Sequence, residues 1–419
     1  MYIALTGYVH VFRNEGMRMI EFNRGQKRVI QEAVTNFKTG RKQVFQFTGN
    51  AGTGKSVVLA EIIRELGLGP DEIAPMAYTG TATNVMRAKG LINAKTIHST
   101  LYEVIETPMV DKNGHVVMDT YLDKPKMVLQ LVPKPIPPGI KLFIIDEASM
   151  VPYSMKAEIE SRGIPIIATG DLDQLPPVAD QPAYLIGDDI LVLDEIMRQA
   201  ENSPIVYLSQ RAKHNLPIHC GRYGDQVYVV ERENISLEML ANTQIVLCGK
   251  NKTRDEILNP EIRKFKGYSG MLPQYGEKLI CRKNNHFIMN DGIFLSNGTI
   301  GYALNNPDVS GMKSRGTFTL DFMPFFGQRP FTNLTVDLNY WNAPFELKSS
   351  IKRDPFSKGE KFEFAYAITT HLSQGAEYDN GIYYEEFLNS NIQRNLNYTA
   401  ITRFRNSLIY VKPPVKKYF

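Results

Sequence analysis

Two short runs carry residues whose types and spacing suit one chemistry. Gly49 to Ser56 reads GNAGTGKS, a G-x-x-x-x-G-K-[ST] pattern that follows a β-rich run, Gln43 to Thr48, and opens a helical pattern at Lys55. The loop residues Gly49, Asn50, Ala51, Gly52, Thr53 and Gly54 can turn successive backbone N–H groups inward around phosphate oxygens. The following helix N-terminus adds a partial positive charge. Lys55 would reach the β- and γ-phosphates of ATP, and Ser56 would ligand Mg²⁺. The second run, Leu142 to Glu147 (LFIIDE), reads as a buried strand ending in adjacent carboxylates. Asp146 would hold Mg²⁺ through water. Glu147 would orient and deprotonate an attacking water, since neighbouring strand-end residues point differently.

These groups must be held by a sizeable scaffold. The chain has 419 residues and a formal charge of +4, from 48 Lys and Arg against 44 Asp and Glu. The length suggests about two to three domains, and the small surplus confines any nucleic-acid site to a local groove. No apolar run approaches the ~18 residues of a membrane helix, and the first residues lack a secretory pattern. Cys220, Cys248 and Cys281 are too few and too scattered for a disulfide framework or zinc cluster, so a reducing cytoplasm is the expected location.

Helical spacing of Val29, Ile30, Ala33, Val34 and Phe37 predicts a helix over 23–38 capped by Asn23, and Val58, Leu59, Ile62 and Ile63 predict another from Lys55 to near Gly67. Apolar runs at 74–79, 141–145 and 164–169 alternate with helices, which predicts a parallel α/β sheet. Between Tyr102 and Pro138 the pattern breaks. Asp111-Lys112-Asn113-Gly114 is a hairpin turn signal flanked by β-formers, so this stretch reads as a hairpin that leaves and rejoins the first domain. A second α/β region is expected from near Ile190, with a strand at 245–248, a helix at 253–265, and strands at 364–370, 381–384 and 407–411. The stretch 273–362 is rich in β-formers and turns and suits a small barrel or twisted sheet.

With these motifs in order, the sequence resembles the superfamily 1B DNA helicases of the RecD-like group, most closely their bacteriophage members, from about Phe22 to Val411. The resemblance implies two RecA-like parallel-sheet domains. Domain 1A takes residues 20–100 and 137–187, and domain 2A takes 188–270 and 364–419. A β-hairpin pin is inserted at 101–136, and an SH3-like β-barrel subdomain occupies 271–363. Residues 1–19 form an extension of unassigned role. Gln26 matches the family's adenine-reading glutamine. AYTGTATNVM (77–86) resembles its first single-strand motif, with Tyr78 and Thr79 as contacts, and KTIHST (95–100) the next, with His98. GDLDQLPPV (170–178) is similar to the coupling motif, in which Gln174 would lie between γ-phosphate and DNA. LDEIMRQ (193–199) resembles the motif presenting an arginine, here Arg198, to the γ-phosphate. AYAITTHLSQGAEYD (365–379) matches the late motif, with Thr369 and His371 toward DNA, Gln374 matching as well, and Gly375 toward nucleotide. Leu372 stands where the family usually has lysine. NYTAITRFR (397–405) carries the expected arginine finger, Arg403.

What the resemblance implies is an ATP- and Mg²⁺-dependent helicase, cytoplasmic and monomeric. It would step 5′-to-3′ on single-stranded DNA and act at duplex–single-strand junctions beside replication or recombination proteins. Two alternatives stay open: a translocase that strips proteins with little unwinding, and a non-motor subunit using ATP as a conformational switch.

Overall fold

A computed structural model describes residues 21–118, 124–125, 127–177, 180–197, 202–290, 293–310, 312, 316–325, 329–353 and 359–414. Arg198 and the extension 1–19 lie outside these residues.

The first helix, α1 (Arg24–Thr39), starts where Asn23 accepts from Gln26 N at 2.7 Å and the Gln26 side chain accepts from Asn23 N at 3.1 Å. This reciprocal box satisfies two backbone donors that a helix start leaves free. Its apolar face, Val29, Ile30, Ala33 and Val34, is buried. After it come β1 (Val44–Gly49), α2 (Lys55–Leu66), β2 (Ile73–Ala77), α3 (Gly80–Ala88), β3 (Lys95–Thr96) and α4 (Ile97–Leu101). The chain leaves through β4 (Tyr102–Pro108) and returns through β5 (Met127–Pro133), then completes the sheet with β6 (Leu142–Asp146), β7 (Ile166–Gly170) and β8 (Leu191–Leu193). The strand order is β3-β2-β6-β7-β1-β8, parallel throughout. The register aligns Thr48 with Gly170 and Ala77 with Asp146, so the chemistry-bearing loops leave one edge together. In open parallel sheets that carboxyl edge is where ligands bind.

Three sequence boundaries shift. Leu191–Leu193 pairs with β1, through Phe47 to Leu191, so the first domain extends past the expected end at 187. The Asp111–Gly114 turn does not join the two hairpin strands. Tyr102 pairs with Pro133 and Pro108 with Met127, leaving a longer connection in which the turn closes only the local Val110–Val116 bridge. Asp111 Oδ1 accepts from Asn113 N at 2.8 Å and His115 N at 2.9 Å, a self-contained turn that needs no long strands. The expected strand 364–370 is two strands in two sheets: β18 (Phe362–Phe364) belongs to the β-rich unit and β19 (Ala367–Thr369) to the second domain.

The second domain contains α5 (Pro204–Lys213), β9 (Gly221–Tyr223), β10 (Val227–Glu231), β11 (Val246–Cys248), β19, β20 (Tyr378–Tyr384), α6 (Ser390–Ile401) and β21 (Phe404–Lys412). Its sheet runs β19-β11-β20-β21-β10-β9, parallel except for β9. The helix expected over 253–265 has wide π-type turns at Thr253–Leu258 before regular turns at Asn259–Phe265. Pro260 lacks the N–H that a regular turn would need there.

The β-rich unit is a five-stranded antiparallel sheet. Its order is β17 (Phe331–Asp337), β16 (Thr317–Pro324), β15 (Ile300–Ala303), β12 (Lys278–Cys281) and β18, beside a two-stranded ribbon of β13 (Asn285–Asn290) and β14 (Ile293–Leu295). Two helices, Leu338–Asn342 and Phe345–Arg353, fall in a stretch whose composition suggested strands alone. A buried ion cluster fixes the unit to the second domain. Burial raises the Glu363 carboxyl, but Arg282, Arg254, Lys348 and the Tyr340 hydroxyl outweigh it and hold the group at about 2. Among the described residues, no helix is long and apolar enough to cross a membrane.

Candidate active site

The loop after β1 turns through Gly52 and Gly54, both with positive φ of 84° and 83°, a conformation that L side chains resist. Gly49 sits so close to Leu193 and Thr53 that an added Cβ would lie 2.9 Å from Leu193 Cβ and 2.5 Å from Thr53 Oγ1. The helix α2 then starts at Lys55 with no side-chain cap, which leaves its first N–H groups for a ligand. Lys55 Nζ bonds the carbonyls of Gly49 at 2.6 Å and Asn50 at 3.2 Å, poised over the loop.

Beside this loop, β6 delivers Asp146 and Glu147. Glu147 has φ 50°, a left-handed conformation rare for glutamate, and Gly170 packs under the turn with its Cβ position 3.0 Å from Ala148 N. Strain of this kind collects where a side chain must be aimed. The Glu147 Oε2 atom is buried without a hydrogen-bond partner in the protein. Burial pushes the Glu147 carboxyl up; Arg403 opposes this, Asp146 adds to it, Lys55 opposes it, and Asp171 adds to it. Four charged side chains thus converge on one carboxylate. Arg403 reaches it from the second domain: NH1 lies 4.0 Å from Glu147 Oε1, while the guanidinium is held by the carbonyls of Thr399 at 3.2 Å and Ala376 at 3.1 Å.

The loop after β7, expected by resemblance to be the coupling loop, runs between the two domains. Gln174 is 5% exposed, with a buried Oε1 that has no protein partner. Gln374 of the second domain donates to Leu175 O at 2.8 Å. Sequence reading missed most of what grips this loop: Tyr398, Asn395, Thr399, Arg394 and Lys213 from one domain, and Asp171 and Asp173 from the other. These partners are far apart in the chain and carry no local pattern.

The oxygen set of Ser56 and Asp146 fits Mg²⁺, which takes one or two protein ligands and completes its shell with phosphate and water. A cation already lies in that corner. Lys89 Nζ is 3.5 Å from Ser56 Oγ and 3.0 Å from Glu377 Oε1, and burial lowers its pKa while Asp146 and Glu147 raise it. Among the described residues no group of three or more His, Cys, Asp or Glu side chains forms a metal cluster of its own.

Other expected residues fall into place unevenly. Gln26 is fully buried behind the loop, its Nε2 donating to Thr53 O at 3.1 Å and lying 3.0 Å from Met197 Sδ. Met197 N bonds Gly52 O at 3.0 Å. The segment leading to Arg198 therefore lies on the P-loop's own side rather than across the cleft as expected. Gly375, expected at the nucleotide, instead meets α3: its Cβ position lies 2.7 Å from Ala82 Cβ and 2.9 Å from Thr79 Oγ1, and its φ is 75°. Thr369 is 4% exposed at the end of β19, where the following turn folds back on its carbonyl, so its side chain does not face an open track. Thr79 caps α3 through its hydroxyl. Tyr78 and His98 do meet, with ring centres 6.1 Å apart, and Tyr102 at the base of the hairpin extends the row at 6.2 Å from His98. Burial lowers the pKa of both His98 and His371, so each is favoured as neutral imidazole.

A family model described as an AAA domain matches residues 21–233, about half of the chain. The chain belongs to this family. The Saccharomyces cerevisiae ATP-dependent DNA helicase RRM3 is 32% identical over 168 residues, 37% of this chain and 21% of its own. The uncharacterized protein MJ1519 of Methanocaldococcus jannaschii is 26% identical over 460 aligned residues, covering 91% of this chain and 37% of that protein. The chain thus spans 37% or less of the length of these curated relatives. Solved structures share the fold: Candida albicans Pif1 helicase has a TM-score of 0.51 at 20% identity, covering 94% of this chain and 95% of its own. Bacteroides Pif1 helicase in complex with ADP-AlF3 and ssDNA has a TM-score of 0.53 at 17% identity, covering 94% and 92%.

Proposed function

We propose that the protein is an ATP-dependent DNA helicase that steps along single-stranded DNA and opens duplex with its inserted hairpin. The observation that carries this reading is the convergence of Lys55 from one domain and Arg403 from the other on Glu147. A triphosphate lying there would be bonded from both sides, so its γ-phosphate favours the drawn-together cleft. Hydrolysis removes that bridge and lets the domains part. Glu147 takes a proton from the attacking water, Lys55 and Arg403 offset charge on the transferring group, and Arg198 adds a second cation. Gln26 reads the adenine edge. Mg²⁺ held by Ser56 and Asp146 supplies further charge neutralisation at the phosphates.

The row Tyr78, His98 and Tyr102 offers aromatic faces on which bases can stack without regard to sequence. It leads to the hairpin, whose Val110, Val116, Met118 and Leu131 are exposed apolar side chains suited to a terminal base pair. Opening each step costs about 1.4 kcal/mol of stacking, a small load for one phosphoryl transfer. By the family resemblance, His371 would meet the strand from the second domain. Both cleft walls come from one chain, which supports a monomer as the motor unit. The direction of travel, 5′-to-3′, rests on the family resemblance.

Strand release from duplexes bearing either a 5′ or a 3′ single-stranded tail, with and without ATP, tests the reading. ATP-dependent release from the 5′-tailed duplex alone is expected. Vigorous DNA-stimulated hydrolysis without release from either would favour a translocase that strips proteins.

A further inference from the structure

One helix of the second domain draws the cleft together, and most of its contacts grip the coupling loop alone. From α6, Asn395 Nδ2 donates to the carbonyls of Asp173 at 3.0 Å and Gln174 at 3.1 Å, and Thr399 Oγ1 accepts from Leu175 N at 2.9 Å. Tyr398 differs. Its hydroxyl donates to Asp171 Oδ2 at 2.6 Å and accepts from Ala51 N at 3.1 Å and Asn50 Nδ2 at 3.1 Å. The side chain is fully buried, and burial together with the Asp171 carboxylate raises the phenol's pKa, so it stays a neutral hydroxyl. Its one proton is committed to the coupling loop, and its lone pairs to the phosphate-binding loop.

Ala51 N–H belongs to the glycine-rich loop whose backbone donors would cradle phosphate. A single N–H cannot serve two acceptors at full strength, so the hydroxyl and a phosphate oxygen compete for it. We propose that Tyr398 is a positioning residue that occupies the Ala51 N–H until the polyphosphate of a nucleoside di- or triphosphate takes it. The exchange loosens the hydroxyl from the P-loop while it remains bonded to Asp171. Arrival of phosphate is thereby passed to the loop that holds Gln174. The proposal rests on the nucleotide reading above and extends it to a residue outside the phosphate-contacting set.

Two variants of the full chain, Tyr398→Phe and Asn395→Ala, separate this role from simple adhesion. Both loosen α6 from the coupling loop, but only the first uncovers Ala51 N–H. A fluorescent ADP titrated without DNA should bind Tyr398→Phe roughly two- to tenfold more tightly than wild type, the range expected for one competing hydrogen bond. The ratio of DNA-stimulated to DNA-free hydrolysis should narrow. Asn395→Ala should show no tightening. Unchanged or weaker binding by Tyr398→Phe, or equal tightening by both variants, overturns the proposal. Hydrogen exchange on wild type gives a readout independent of either variant: the Ala51 amide should be protected before nucleotide is added, and free exchange there also overturns it. Failure of folded wild type to bind ADP at all sinks the nucleotide reading and this proposal with it.

Discussion

Arg403 NH1 stands 4.0 Å from Glu147 Oε1, and the two side chains belong to different domains. Glu147 leaves the end of β6 in a left-handed turn, and Arg403 follows α6, anchored by two backbone carbonyls. Their side chains are 18% and 5% exposed respectively, so each charge depends on the other and on what lies between them. A charge pair of this kind is costly to desolvate and is weak evidence for stability. Its value here is positional: it marks where the two domains approach each other.

Glu147→Gln should abolish hydrolysis and raise the melting temperature at neutral pH. Burial raises the folded-state pKa of Glu147 above its unfolded value. The protonated form is therefore favoured by folding, and stability is lost as pH rises from the ordinary glutamate range through the raised folded value. Gln mimics the protonated form. Its advantage should grow across that window, level off above it, and vanish below the ordinary glutamate pKa. Melting curves of both proteins across this pH range check the claim; a variant melting below wild type at neutral pH would contradict it.

Lys55→Ala should lose ATP hydrolysis while single-stranded DNA binding stays measurable. Phosphate release and oligonucleotide titration on the same preparation provide the comparison. Normal turnover in this variant would remove Lys55 from the site.

Gly375→Ala should impair closure. The new methyl would press on Ala82 and Thr79 of the opposite domain, and φ 75° costs an L-residue roughly 1–2 kcal/mol. A lower melting temperature together with weaker DNA stimulation of hydrolysis is expected. A variant with wild-type DNA stimulation would show that this contact is not part of the working cycle.

Tyr102→Ala should weaken single-stranded DNA binding by about 1–3 kcal/mol, with little dependence on base sequence. Tyr102→Phe should retain most of the affinity, because stacking uses the ring. Equal affinity of Tyr102→Ala and wild type would take Tyr102 off the track.

The phosphate loop and the paired carboxylates were legible because each is one contiguous run whose types, spacing and neighbouring strand agree. Parallel strands were legible as short apolar runs, since both faces of such a sheet are covered. What escaped is contact between distant positions. Tyr398 and Asp171 are separated by 227 residues and meet only because α6 lies across the coupling loop. Leu191–Leu193 was assigned to the wrong domain because a three-residue strand carries too little pattern to choose between sheets. Residues 364–370 read as one strand because nothing in Phe364 to Ala367 signals the passage from one sheet to the next. Gly375 was placed at the nucleotide by resemblance, and the close approach of α3 explains its glycine instead.

The most direct test of the two-domain account is the rate of ATP hydrolysis with and without single-stranded DNA, in wild type and in Arg403→Ala. Strong stimulation by DNA is expected in wild type. In the variant, retained nucleotide binding is expected with turnover lower by about 10³-fold or more, the range for an arginine finger. A wild-type rate indifferent to DNA, or an Arg403→Ala rate equal to wild type, would contradict the two-domain account.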